Sequence, residues 1–164
     1  MDKKEIKKAE EALRESEEKF HLLAEATIEG VLINKKEKIW EANKAFAKMF
    51  GYKSEEVIGL PVSEFVTPSS FEVIKKNIQA GLELPYEIIG VKKDGTTFDI
   101  EATGKNCIYK GSPARVAALR DITERKQAER VLRESEKKFK TLADESPNMI
   151  FINKKRKIVY ANKK

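Results

Sequence analysis

The chain has 164 residues, 40% of them hydrophobic, enough for one core of ordinary size but a tight fit for two complete domains. Its 37% charged residues exceed the ~25% of an average soluble domain and point to solvated helical flanks. The net charge of +6 arises from 33 basic and 27 acidic residues that are interspersed, with no aromatic residues between the basic clusters, which argues against a nucleic-acid surface. No run of about 18 apolar residues and no apolar leader after Met1-Asp2-Lys3-Lys4-Glu5 occur, so neither a membrane span nor a secretory signal is expected. The single cysteine, Cys107, can form no internal disulfide and cannot alone hold zinc; it fits a reducing, cytoplasmic location and a buried small-hydrophobe role.

Residues 3–26 contain no Gly or Pro and place Ile6, Leu13, Phe20 and Leu23, with Ala9 and Ala24, along one side at helical spacing. Two readings stay open: a solvated helix with i,i+4 charge pairs, and a coiled-coil-like dimer seam, which we favour. His21, the one histidine, is expected at the surface.

Val31-Leu32-Ile33 and Ile39-Trp40-Glu41-Ala42 are β-prone runs around the turn Asn34-Lys35-Lys36-Glu37 and form a hairpin. Asn43 then caps a helix through Phe50 that turns Phe46, Met49 and Phe50 inward, and Gly51 stops it. Ser54 opens a short helical turn with Glu55 and Glu56 near its positive end, broken by Gly59 and Pro61. Residues 69–80 form a further helix with Phe71, Ile74 and Ile78 on one face. Three strands follow, over residues 85–93, 97–108 and 115–120, the first two joined by Asp94-Gly95. Period-two alternation directs Ile88, Gly90, Phe98, Ile100, Ala102, Ala117 and Leu119 inward and leaves Ile89, Val91, Val116 and Ala118 on an outer face that needs a cover. Phe20 with Leu23, from this chain or a partner, is the expected cover. The order of elements is an α+β pattern.

The opening recurs. Leu13-Arg14-Glu15-Ser16-Glu17 returns as Leu132-Arg133-Glu134-Ser135-Glu136, and at the same interval Ile33-Asn34-Lys35-Lys36 returns as Ile152-Asn153-Lys154-Lys155 and Ala42-Asn43-Lys44 as Ala161-Asn162-Lys163. The interval is too long for a solenoid repeat and reads as a tandem of whole domains. The second copy is cut short, by truncation or a fragmentary reading frame, and residues 147–164 are expected to be poorly ordered or to borrow a partner surface. The expected division is a leading helix at 1–26, a complete domain at 27–123, an exit helix at 124–143 and the start of a second domain at 144–164.

Four segments in order, Asn43-Lys44-Ala45-Phe46, Gly51-Tyr52 with Glu55-Glu56-Val57-Ile58-Gly59, Lys92-Lys93-Asp94-Gly95-Thr96, and Asp121-Ile122-Thr123-Glu124-Arg125-Lys126, resemble the PAS/PAC sensory-box family of sensor histidine kinases and related signalling proteins. The resemblance implies a five-stranded antiparallel sheet with helices over one face around a small cavity, flanked by amphipathic helices. It also implies that a signal passes to an output domain outside the chain; with its lone His21 and Cys107 in separate elements, no Gly-rich phosphate loop and no paired carboxylates on a convincing cleft, the chain is not expected to be an enzyme itself. The implied cavity walls are Val31, Ile33, Phe46, Met49, Val57, Phe65, Ile74, Ile78, Ile88, Gly90, Ile100 and Leu119, with Gly90 offering room for a small apolar ligand and Ser63, Thr67 and Asn77 as the nearby polar groups. Asp121, Ile122 and Thr123 form the implied relay junction, where Asp121 or Thr123 caps the exit helix and Asp121 with Glu124 has capping-box spacing.

Flavin and haem are disfavoured. Where a light-oxygen-voltage domain carries its reactive cysteine this chain has Pro61-Val62-Ser63-Glu64, its flavin-contacting amides fall on Gly90, Ile100 and Leu119, and residues 69–80 lack the histidine that haem-binding members use. No metal site is expected. Two functions remain: a sensory and dimerisation input module coupling cavity or interface to the exit helix, homodimeric through the leading helix and outer sheet face; and a pure interaction module with a filled core, which the scarcity of polar wall residues favours for the cavity itself.

Overall fold

The computed structural model describes residues 3–163; the side chains of residues 3–6, Ala9, Glu10, Leu13, Glu17, Phe20, His21 and Ala24 fall outside the described residues. The seam positions Ile6, Leu13 and Phe20 and the surface assignment of His21 therefore lie outside them. Two compact units divide the chain, Met1–Thr123 and Glu124–Lys164.

In the first unit α1 spans Lys3–Glu25. β1 (Gly30–Lys35) and β2 (Lys38–Ala42) form an antiparallel hairpin whose two turn residues, Lys36 (φ 47°) and Glu37 (φ 65°), both take the left-handed conformation that matches the twist of a two-residue hairpin. Asn43 caps α2 (Lys44–Phe50), and Gly51 ends it at φ 75°, where any side chain would be strained. α3 (Ser54–Val57) and a 3-10 turn at Val62–Phe65 lead to α4 (Pro68–Gln79), capped by the Thr67 hydroxyl and opened by Pro68. β3 (Tyr86–Val91), β4 (Thr97–Tyr109) and β5 (Ser112–Asp121) complete a five-stranded antiparallel sheet in the order β2-β1-β5-β4-β3.

The register sets opposite one another Leu32 and Ala117, Ala102 and Leu119, and Ile88 and Ile100. These residues form the inner face, and α2, the 3-10 turn and α4 close over it. Its centre is aromatic: Phe46, Phe50, Phe65, Phe98 and Tyr52 meet with ring centroids 4.8–5.2 Å apart, a spacing at which tilted and edge-to-face pairs attract. Phe46, Phe50, Ile39, Val57 and Ile100 are wholly buried. α4 is pinned to β3 at its start, since the Ser70 hydroxyl accepts from the Ile89 N–H at 2.8 Å and the Thr67 N–H donates to the Ile89 carbonyl at 3.1 Å.

Three expectations change. Leu32, not Val31 or Ile33, faces the core cluster, because an unbroken apolar run carries no period-two signal; Ile33 is buried opposite Val116 on the other face. On that outer face Ile89 is exposed and Val91, Val116 and Ala118 are half-buried, and Leu23, 67% exposed, does not cover them from within this chain. Cys107 is half-buried rather than buried.

The second unit holds α5 from Glu124 onward (Thr123–Glu145), β6 (Phe151–Lys154) and β7 (Lys157–Ala161). It reproduces the opening of the first down to its hydrogen bonds. Asn43 Oδ1 accepts from the Val31 and Phe46 N–H groups and its Nδ2 donates to the Glu29 carbonyl; Asn162 Oδ1 accepts from the Ile150 N–H and its Nδ2 donates to the Asn148 and Ala143 carbonyls. The bulge after Ile33 recurs after Ile152, and Lys155 and Arg156 repeat the left-handed turn. Residues 147–163 thus adopt the same hairpin, and one buried asparagine ties its two ends to each other and to the helix that precedes it. Its apolar face is bare nonetheless: Phe151 is 57% and Ile158 65% exposed, where their counterparts Leu32 and Ile39 are 5% and 0% exposed.

Candidate functional site

Between the inner face of the sheet and the covering helices lies a hollow of about 50 Å³. Leu32, Phe46, Phe50, Phe65, Ile74, Ile88 and Leu119 make most of its wall apolar. At ~10–15 Å³ per ordered water this is room for a few small atoms, far below the ~300–1,000 Å³ of a typical ligand pocket.

One end of the hollow is polar, with Asn34, Tyr86 and Arg115. Arg115 is 94% buried in the sense that only 6% of its surface is exposed, and it points inward because Arg115, Ala117 and Leu119 alternate on the inner face of β5. Its Nη1 donates to Asn106 Oδ1 at 3.0 Å and its Nη2 to the Leu82 carbonyl at 3.1 Å. The guanidinium lies over Gly104, where a Cβ would stand 2.6 Å from Nε, so the glycine makes the space the side chain occupies. Burial pushes the Tyr86 hydroxyl above the usual tyrosine range, and the adjacent Arg115 charge and hydrogen bond oppose that rise. Among the described residues no carboxylate forms an ion pair with Arg115; its partners are neutral.

The junction from sheet to α5 is clamped by β4. The Ile122 N–H donates to the Asp99 carbonyl at 3.0 Å, the Asp99 N–H donates to the Thr123 hydroxyl at 3.3 Å, and Asp121 Oδ1 accepts from the Thr123 N–H at 2.9 Å. Ile122 is buried between these bonds. The bond Asp121 makes is thus to the Thr123 amide, and the Thr123 hydroxyl serves the strand.

Of the wall residues expected from sequence, Phe46, Phe65, Ile74, Ile78, Ile88 and Leu119 line the hollow. Val57 and Ile100 are packed in the core and Met49 lies against it, none of them on the hollow; Val31 and Ile33 miss it through the parity of β1. Gly90 offers no room: a Cβ there would meet Ile100 Cδ1 at 2.4 Å and Phe98 Cε1 at 2.6 Å, so two core side chains already fill that space. Ser63 is exposed, Thr67 caps α4 and Asn77 does not line the hollow, so the polar wall is Asn34, Tyr86 and Arg115 instead. A sequence signal for Arg115 existed, a charged residue in phase with Ala117 and Leu119; the strand register then pairs it with Asn106, two positions from Gly104.

Among the described residues no cluster of His, Cys, Asp and Glu could hold a metal ion, and no helix is long and apolar enough to cross a membrane. The PAS domain profile matches residues 28–124, and a second PAS domain profile matches residues 137–164. Sporulation kinase A of Bacillus subtilis (strain 168) is 28% identical over 148 residues, which are 87% of this chain and 24% of that protein. The methyl sulfide methyltransferase-associated sensor of Methanosarcina acetivorans is 28% identical over 126 residues, 74% of this chain and 13% of that protein. The chain therefore spans a quarter or less of the length of these curated relatives. The crystal structure of a PAS domain of an HTR-like protein from Haloarcula marismortui has the same fold, with a TM-score of 0.62 and 23% identity over 71% of this chain and 99% of that one. The five-stranded sheet, its helical cover and the family match over residues 28–124 agree: the chain belongs to the PAS domain family and is similar to the sensory domains of histidine kinases.

Proposed function

We propose that this chain is a sensory and dimerisation input module of a cytoplasmic signal-transduction protein, in which the state of the hollow is passed through the Asp121–Ile122–Thr123 junction to α5 and on to an output domain outside the chain. The observation that carries this reading is the double use of β4: Ala102 lines the hollow while Asp99, three residues earlier on the same strand, holds both Ile122 and Thr123. A strand displaced by an occupant moves the clamp with it. The division into a leading helix at 1–26, a domain at 27–123, an exit helix at 124–143 and the start of a second domain at 144–164 accords with this role, since α5 is then exit helix to one domain and leading helix to the next.

The test is Ala102→Leu, which adds side-chain volume to the hollow in place of a ligand. Amide hydrogen exchange at Ile122 and Thr123 then changes; exchange that stays unaltered in a folded variant refutes the coupling.

A second reading, an interaction module with a filled core, is favoured by the small size of the hollow. Native mass spectrometry of freshly purified protein separates the two: a retained small ligand supports the first, and an empty hollow combined with an unresponsive junction supports the second. In either reading the homodimer forms through α1 and the outer sheet face, where Leu22, Leu23 and Ile89 are exposed. Leu13→Asp or Phe20→Asp then lowers the sedimenting mass, and an unchanged mass rejects that interface.

A further inference from the structure

We propose that Arg115 makes the hollow a receptor for a short-chain organic monocarboxylate, whose carboxylate pairs with the guanidinium and whose two- or three-carbon tail enters the apolar interior. The inference rests on the sensory reading above and names the ligand class for it.

The first argument is charge. A guanidinium that is only 6% exposed and held by the Asn106 side-chain oxygen and the Leu82 carbonyl, beside the Tyr86 hydroxyl, keeps hydrogen-bond partners but has no counter-charge. A buried charge is costly unless an opposite charge joins it, and the planar fork of arginine suits the paired oxygens of a carboxylate or a phosphate.

The second argument is access. Arg115 and Asn34 line both the inner hollow and an open outer groove of about 670 Å³ that also includes Lys35, Lys36, Glu37 and Lys75. Three lysines against one glutamate bias the approach toward anions, although Lys75 shares its charge with Glu72 at 2.6 Å. An anion drawn into the groove meets the guanidinium at the boundary between groove and hollow.

The third argument is size and polarity. Beyond Arg115 the wall is apolar, including Leu32, Ile74 and Ile88, so a phosphate or sulfate would leave oxygens without donors there. A hollow of about 50 Å³ accepts a tail of a few atoms and rejects aromatic or long-chain acids.

The experiment titrates the whole chain with sodium propionate, propionamide and 1-propanol at constant ionic strength, following Arg115 Nε–Hε and Gly104 amide signals by NMR. Propionate shifts both signals and binds at least about tenfold more tightly than either neutral analogue, as expected for a charge-assisted hydrogen bond over a neutral one. Hexanoate binds more weakly than propionate. Arg115→Met removes the preference for propionate, and Arg115→Lys retains part of it; the comparison of ligands on the unaltered chain stands even if a variant does not fold. Equal binding of all three probes overturns the carboxylate assignment while leaving the sensory reading intact. Shifts reproduced by sodium chloride, or no shift with any probe, overturn it as well, and the exchange response of Ala102→Leu then decides the sensory reading separately.

Discussion

Replacing Asn43 by alanine should cost far more than loss of an ordinary helix cap. The side chain is 5% exposed and satisfies three backbone groups at once: Oδ1 accepts from the Phe46 N–H at 2.9 Å and from the Val31 N–H at 2.9 Å, and Nδ2 donates to the Glu29 carbonyl at 3.0 Å. Loss of the cap to Phe46 costs ~1 kcal/mol. The Val31 N–H is left without its acceptor, which adds ~1–3 kcal/mol, while the Glu29 carbonyl keeps the Thr27 hydroxyl at 3.1 Å. The sum is about 2–4 kcal/mol, a large share of the ~5–15 kcal/mol that holds a typical domain together. Urea unfolding followed by far-ultraviolet circular dichroism should show a lower midpoint with an unchanged slope, because the surface exposed on unfolding is the same. Asn43→Asp, which keeps the acceptor and loses the donor, should fall between the two. A loss below about 1 kcal/mol for Asn43→Ala would mean that the asparagine is only a surface cap and that β1 is held to α2 by other means.

Gly104→Ala places a methyl 2.6 Å from Arg115 Nε and 2.8 Å from its Nη2, so thermal unfolding should show a destabilisation of ~1–3 kcal/mol together with a shifted Arg115 Nε–Hε signal; an unperturbed signal would show that the guanidinium does not lie over the glycine. Gly90→Ala, which meets Ile100 and Phe98 at 2.4 and 2.6 Å, should destabilise by a similar ~1–3 kcal/mol, and a neutral result would reopen that position as ligand space. Lys93 at 2.8 Å, and after it the Lys53 amide, hold the Glu56 carboxyl below the usual glutamate range. Its lowered pKa contributes stability that is present above the ordinary glutamate range and lost as pH falls through the lowered value. Lys93→Met should therefore raise the Glu56 midpoint in a carboxyl NMR titration, and an unmoved midpoint would discount the ion pair. Thr123→Val should speed amide exchange at Asp99 and in the first turn of α5 without altering exchange at Ile88; a uniform change across the sheet would show a general loss of stability instead of a local clamp.

The helices and turns were legible because their signals are local. Asn43, Gly51 and Asp94-Gly95 act through bonds and backbone conformations within a few residues, and the element boundaries follow them closely. The repeat was legible for the same reason, and its copy at Asn162 preserves the geometry of Asn43 without the remainder of a sheet. The hollow was half legible. Phe46, Phe65, Ile74, Ile78, Ile88 and Leu119 sit on elements whose periodicity is unambiguous, whereas the apolar run Val31-Leu32-Ile33 has no alternation to give it a phase. Gly90 reads as space in a sequence, but neighbours on β4 fill it.

By itself the amino-acid sequence determined the family, the order of helices and strands, the two-copy organisation and the residues that cap and turn the chain, since each of these rests on contacts between near neighbours. Only the tertiary structure decided which face of β1 turns inward, how much of the interior stays open, and that Arg115 reaches the hollow with neutral partners alone. Those outcomes depend on strands far apart in the chain meeting in one register, and a shift of one residue in that pairing would have sent every one of these side chains to the opposite face.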